Sequence, residues 1–255
     1  MQSKNILITG GASGIGFGIA KQLASAGHQI IIADLQLGAA QAAAQTLNEL
    51  GFKASAIEVD VSQAAQIASL PVQLLPLKID VLINNAGIQH VARLEDFPAD
   101  KWQQLINIML VGPALLTQAF LPSMRAQNYG RIINIGSVHS LVASPFKSAY
   151  VAAKHGLLGF AKTVALETGD CNITINTICP AYVRTPLVDK QIAAQAIEHG
   201  ISETEVVNKI MLEPMPKKAF IEMDELGATA AFLIADTARN ITAQTMVLDG
   251  GWTAR

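Results

Sequence analysis

Cysteine is scarce. The chain has two, Cys171 and Cys179, the first in an expected turn and the second after an apolar run. That argues against a disulfide framework, and a reducing cytosol is the expected setting. Charge is scarce as well: 15% of residues are charged and the formal net charge is -2. Lys and Arg form no cluster, so neither nucleic acid nor a membrane is expected as a partner. The opening MQSKNILITGG lacks the basic, apolar and small-residue regions of a signal peptide. No charge-free apolar run is read as reaching the ~18 residues of a membrane span. His28, His90, His155 and His199 stand apart, without ligand spacing, so no metal is expected. Repeats, linkers and low-complexity tracts are missing too.

What is present is apolar residue. Hydrophobic residues make up 51% of 255, and mean hydropathy is +0.34. That suffices for one well-buried domain over residues 1–255 and does not require two. Short apolar runs alternate with helical patterns. The runs are Ile6 to Ile8, Ile30 to Ile32, Ala56 to Val59, Ile79 to Ile83, Arg131 to Ile135, Ile173 to Ile178 and Thr245 to Leu248. Their continuous character suits strands buried on both faces. The expectation is an α/β fold, a Rossmann-type doubly wound parallel sheet of seven strands, with ligands at the strand carboxyl ends. Pro71 and Pro76 predict a short helix after Asp60. Residues 186–216 interrupt the rhythm before a last helix starting near Asp224. Leu187, Val188, Ile192, Ile197, Val206 and Ile210 make that insertion a helical substrate lid.

The first strand runs into Thr9-Gly10-Gly11-Ala12-Ser13-Gly14-Ile15-Gly16. Glycines between a strand and a helix let the backbone approach a pyrophosphate, and the helix amino end favours its charge. A tight turn without ligand would look similar. Asp34 ends the second strand, followed by Leu35. A carboxylate there accepts both ribose hydroxyls and repels a 2′-phosphate, which favours NAD over NADP. Position 13 is Ser, so no Arg is at hand for a phosphate. The alternative is a turn-forming Asp. Asn84-Asn85-Ala86-Gly87 closes the fourth strand, where amides can serve both backbone and cofactor.

Ser137 closes the fifth strand, Tyr150 follows, and Lys154 comes one helical turn later. A free tyrosine, with a pKa of about 10, is a poor base at neutral pH. An ammonium nearby stabilises the phenolate, and Ser137 can hold a substrate oxygen. A Tyr-x-x-x-Lys alone means little. Lys147, close to Tyr150, is costly to bury unless it meets an anion, which points to a carboxylate-bearing substrate. A solvated Lys at a helix start is the alternative.

TGGASGIG, Asp60-Val61, NNAG, Ser137, YVAAK and PAYVRT occur together, in order, across the chain. In this it resembles the short-chain dehydrogenase/reductase family. The resemblance implies an NAD-dependent secondary-alcohol dehydrogenase with Ser137, Tyr150 and Lys154 catalytic. It places Thr9, Gly10, Ser13, Gly14, Ile15, Gly16, Asp34, Leu35, Asp60, Val61, Asn85, Ala86, Gly87, Tyr150, Lys154, Val183 and Thr185 on the cofactor. It also implies a homotetramer, in the cytoplasm that the scarce cysteines already favour. GIQHVA, SVHSLVASPFKSAYVAAKHG, TPLVDKQI and DGGWTAR resemble the branch of the family that acts on D-3-hydroxybutyrate. There Gln89, Ser137, His139, Lys147, Tyr150, Gln191 and Trp252 would bind the hydroxy acid.

Two positions depart from the pattern. Ala181 replaces a Gly, and Met109 stands where the family has a catalytic Asn. Pro113 lacks the N–H that a regular helix would direct at the Met109 carbonyl. That carbonyl is therefore expected to be free to anchor a water. The rival readings are a sugar dehydrogenase, a 3-oxoacyl reductase and a non-catalytic NAD-binding regulator. Asp34 and Ser13 argue against the reductase. The intact Ser137, Tyr150 and Lys154 argue against the regulator, and Met109 favours it.

Overall fold

The computed structural model describes residues 3–254. The apolar runs become β1 (Asn5–Thr9), β2 (Gln29–Asp34), β3 (Lys53–Glu58), β4 (Val81–Asn84), β5 (Gly130–Ile135), β6 (Ile173–Pro180) and β7 (Thr245–Leu248). They form one sheet in the order β3-β2-β1-β4-β5-β6-β7, and every pairing is parallel. Alternate side chains serve opposite faces, so Ile6 and Ile8 belong to one core and Leu7 to the other. Burial on both faces is what selected continuous Ile, Leu and Val runs.

Helices α1 (Gly14–Ser25), α2 (Leu37–Glu49) and α9 (Met223–Ile234) cover the Ile6 face. Helices α3 (Ala64–Gln73), α5 (Gly112–Ala126) and α6 (Ser148–Glu167) cover the other. The strand order reverses between β1 and β4. At such a switch point the loops part and leave a crevice above the carboxyl ends.

Contrary to expectation, one stretch is long and apolar enough to cross a membrane by length and composition, Ala99–Ala126. It joins α4 (Ala99–Ile106) to α5 through a five-residue π turn, Asn107–Val111. Polar Asn107, Thr117 and Gln118 break the apolar pattern without adding charge. Here its apolar side is core: Leu116, Phe120 and Met124 pack against the sheet, and Leu105 and Met109 share a cluster with Ala149 and Ala153 of α6.

Pro113 sits at a change of helical register, just after the π turn. The Gly112 N–H reaches back five residues to the Asn107 carbonyl. Gly112 is required at the turn, because a Cβ there would lie 2.6 Å from the Val61 carbonyl oxygen.

The insertion is helical: α7 (Pro186–His199), α8 (Glu203–Val206) and a π turn, Val207–Met211. Ile192, Val206 and Met211 form a small core, with Val188, Ile210 and Tyr182 packed against it. Ile197, expected to help, is 85% exposed. The Leu187 and His199 side chains lie outside the described residues.

Candidate active site

The crevice is built from strand ends. After β1 the chain needs positive φ twice, at Gly10 (60°) and Gly14 (54°), which glycine adopts without steric cost. A Cβ on Gly16 would lie 2.4 Å from the Gly10 carbonyl oxygen and 2.5 Å from the Asn85 amide nitrogen. Thr9 is buried, and its hydroxyl accepts the N–H groups of Asn85 (3.0 Å) and Ala86 (3.1 Å). The Asn85 amide donates in return to the Thr9 and Gly10 carbonyls, at 2.9 and 3.0 Å. Thr9 and Gly16 thus tie the β1 and β4 loops together and line neither cavity described below. Asn84 pairs with Asn134 at 2.9 Å instead.

A groove above these loops is lined by Gly10, Ser13, Gly14, Ile15, Asp34, Leu35, Asp60, Val61, Asn85, Ala86, Gly87 and Thr185. Gln36, Val59, Ile88 and Ile108 join them without having been expected. The Asp34 carboxylate accepts the N–H groups of Ala12 and Gln36, each at 3.2 Å. So the turn-forming role of Asp34 is real, and Asp34 also lines the groove. Asp60 accepts the N–H and hydroxyl of Ser62, at 2.8 and 2.7 Å. Glycines where a Cβ would intrude, a helix amino end and a carboxylate at the far end suit a dinucleotide.

The groove continues into a second cavity that holds Ser137, Tyr150 and Lys154 with Ile15, Val183 and Thr185. Ser137 starts a short 3-10 turn, Val138–Ser140, and its hydroxyl accepts the His139 N–H at 3.2 Å. Burial pushes the Tyr150 phenol above its ordinary pKa, and the adjacent Ser137 hydroxyl opposes that shift. Lys154 is buried and donates to the Ile135 carbonyl at 2.6 Å. Burial brings its pKa down to about 8. The expected pull of Lys154 on the phenol is therefore not the governing influence here: the ammonium is committed to a backbone carbonyl, and desolvation of Tyr150 prevails. Met109 is buried at the cavity wall.

The same cavity contains Gln89, His139, Lys147, Gln191 and Trp252. They come from four stretches of the sequence, with His139 and Lys147 only eight residues apart. Lys147 is the N-cap of α6, and its ammonium lies 3.5 Å from His139 Nε2. An ammonium can only donate, so Nε2 accepts. Burial and the Lys147 charge lower the His139 pKa to about 4, which leaves the ring neutral at physiological pH. Burial also lowers the Lys147 pKa. Among the described residues Lys147 has no carboxylate partner.

Trp252 is held by the C-terminal turn. Asp249 accepts from the N–H groups of Gly251 and Thr253 and from the Thr253 hydroxyl, at 2.8, 2.7 and 2.6 Å. The indole meets His139 edge-on and stacks with Tyr182, at centroid distances of 5.8 and 5.9 Å. Tyr182 was not among the expected site residues, although it lies inside the PAYVRT stretch. Among the described residues no group of His, Cys, Asp and Glu could hold a metal.

Comparison with known proteins gives a consistent answer. The short chain dehydrogenase family model matches residues 4–196. A D-beta-hydroxybutyrate dehydrogenase of Cupriavidus necator is 44% identical, covering 100% of each chain. One from Rhizobium meliloti is 42% identical, over 99% of this chain and 100% of its own. A 2-dehydro-3-deoxy-D-gluconate 5-dehydrogenase of Bacillus subtilis is 32% identical, over 100% and 96%.

Proposed function

Since the chain belongs to the short-chain dehydrogenase family of oxidoreductases, we propose that it oxidises (R)-3-hydroxybutyrate to acetoacetate, reversibly, with NAD. The observation that carries this reading is Lys147: an ammonium without a carboxylate partner among the described residues, facing the cavity that holds Tyr150 and Ser137. A charge so placed is stabilised by an anion. Two relatives with full-length coverage bear a hydroxybutyrate name, which supports the same substrate.

In this reading Lys147 binds the carboxylate, and the Gln89 and Gln191 amides donate to it. Neutral His139 orients the Lys147 ammonium and contributes no charge. Trp252 and Tyr182 form the apolar wall against which a short carbon chain lies. Ser137 holds the substrate oxygen, and Tyr150 takes the hydroxyl proton. Lys154, its pKa lowered by burial to about 8, can pass a proton onward. A nicotinamide cofactor held by the groove residues Gly10, Ser13, Gly14, Asp34 and Thr185 would supply the hydride acceptor for the carbinol carbon. A carboxylate at Asp34 in the groove supports NAD over NADP. The same reading has a homotetramer in the cytosol, acting on a small hydroxy acid.

A substrate panel tests the proposal. NAD is mixed with (R)- and (S)-3-hydroxybutyrate, a sugar alcohol and a 3-hydroxyacyl thioester, and reduced cofactor is followed by absorbance. Turnover of the (R) acid supports the reading; turnover of the sugar or thioester alone overturns it.

A further inference from the structure

The loop before α6 contains a feature that the chemistry above does not use. Phe146, directly before Lys147, has φ 67°. That left-handed conformation is unfavourable for a bulky L residue. Burial offsets it only in part, since Phe146 is 48% exposed. Such strain persists only where surrounding contacts hold it.

Two contacts do so, and both come from the loop that carries Gln89. The Ala92 N–H donates to the Phe146 carbonyl at 3.0 Å. The Arg93 guanidinium lies over the Phe146 ring, 5.6 Å from its centroid. One backbone bond and one cation–π contact thus join the Gln89 loop to the Lys147 loop. The left-handed residue is followed by Lys147 at φ -120°, ψ 33°, outside the helical region, before α6 begins at Ser148. A different φ at Phe146 would redirect the chain entering Lys147.

We infer that Phe146 and Arg93 are positioning residues: together they form a latch that aims Lys147 into the cavity and sets its spacing from Gln89. This rests on the hydroxy-acid reading, because it assigns the latch to carboxylate recognition. The contact acts on the substrate side alone, so the cofactor groove should not sense its loss.

The test uses the purified full chain. Phe146→Ala keeps the unfavourable left-handed residue and removes the ring, so the turn should relax. Phe146→Gly tolerates positive φ and should keep more of the aim. The KM for (R)-3-hydroxybutyrate should rise about tenfold in Phe146→Ala and less in Phe146→Gly, with the KM for NAD unchanged. Arg93→Leu should follow Phe146→Ala in direction, and Phe146→Tyr, which keeps a ring, should restore wild-type values. Equal effects on both KM values, a lower melting temperature with unchanged KM, or Phe146→Gly as damaging as Phe146→Ala would each overturn the latch. If the wild-type chain turns over no hydroxy acid, the functional reading fails instead. A crystal structure of Phe146→Ala then decides the latch alone: Lys147 still 3.5 Å from His139 overturns it, and a displaced Lys147 supports it.

Discussion

The Lys147 ammonium donates to His139 Nε2 across 3.5 Å, so the cation at the substrate end rests on a neutral imidazole. The pair divides two tasks. In the proposed reading His139 fixes direction, and Lys147 keeps its charge available for an anion. Both pKa values are depressed by burial, and the signs of the pH effects follow.

The KM for the hydroxy acid should show no inflection near 6.5, because His139 stays neutral down to about 4. On the alkaline side it should rise at a lower pH than an ordinary lysine would dictate, since deprotonation removes the anchoring charge and burial has lowered the Lys147 pKa. The KM for NAD should not follow. Initial rates from pH 5.5 to 10 check this, and a step in KM centred at 6.5 would contradict it.

Folding stability should respond to the same imidazole. A histidine at about 4 when folded and near 6.5 unfolded stabilises fully above the unfolded value. The stabilisation is lost as pH falls through this window, by about 3 kcal/mol over its whole width. Urea unfolding at pH 7 and pH 5 measures the slope. It should be shallower in His139→Gln, and an equal slope would assign the loss elsewhere.

Tyr150→Phe should lower kcat about a thousandfold or more, the scale of a lost general base. Binding of NADH, read by its fluorescence, should change little, because the phenol lies in the substrate cavity and not among the residues lining the dinucleotide groove. Appreciable residual turnover would mean that another group takes the proton.

Asp34→Ala should raise the KM for NAD roughly tenfold, the order expected for lost hydrogen bonds to a charged acceptor, and should make NADP usable. Asp34→Asn should fall between, because its one amide oxygen can still accept from either Ala12 or Gln36, which bond to different oxygens of the Asp34 carboxylate. An unchanged NAD-to-NADP preference would remove Asp34 from cofactor selection.

The strands were legible because burial on both faces demands uninterrupted apolar residues, as in β1, β2 and β5. β3 was displaced by three residues at its start, Lys53 against an expected Ala56, because an edge strand half-exposes alternate positions and carries a weaker pattern. Tyr150, Lys154 and Lys147 were legible from one short segment. Thr9 and Gly16 matched a cofactor motif, yet their contacts are internal, since a motif does not say which side of a loop each residue serves. The Phe146 turn, the Tyr182–Trp252 stack and the pairing of Lys154 with Ile135 depend on contacts between distant segments. No local pattern encodes those.

The central claim is that Lys147 holds a carboxylate while Tyr150 takes the proton. It is tested most directly by the ratio of kcat/KM for (R)-3-hydroxybutyrate to that for its uncharged methyl ester, in wild type and in Lys147→Ala. The account predicts a wild-type ratio of about a hundred, one charge-assisted contact, collapsing towards unity in the variant. A ratio that survives the loss of Lys147 would contradict it.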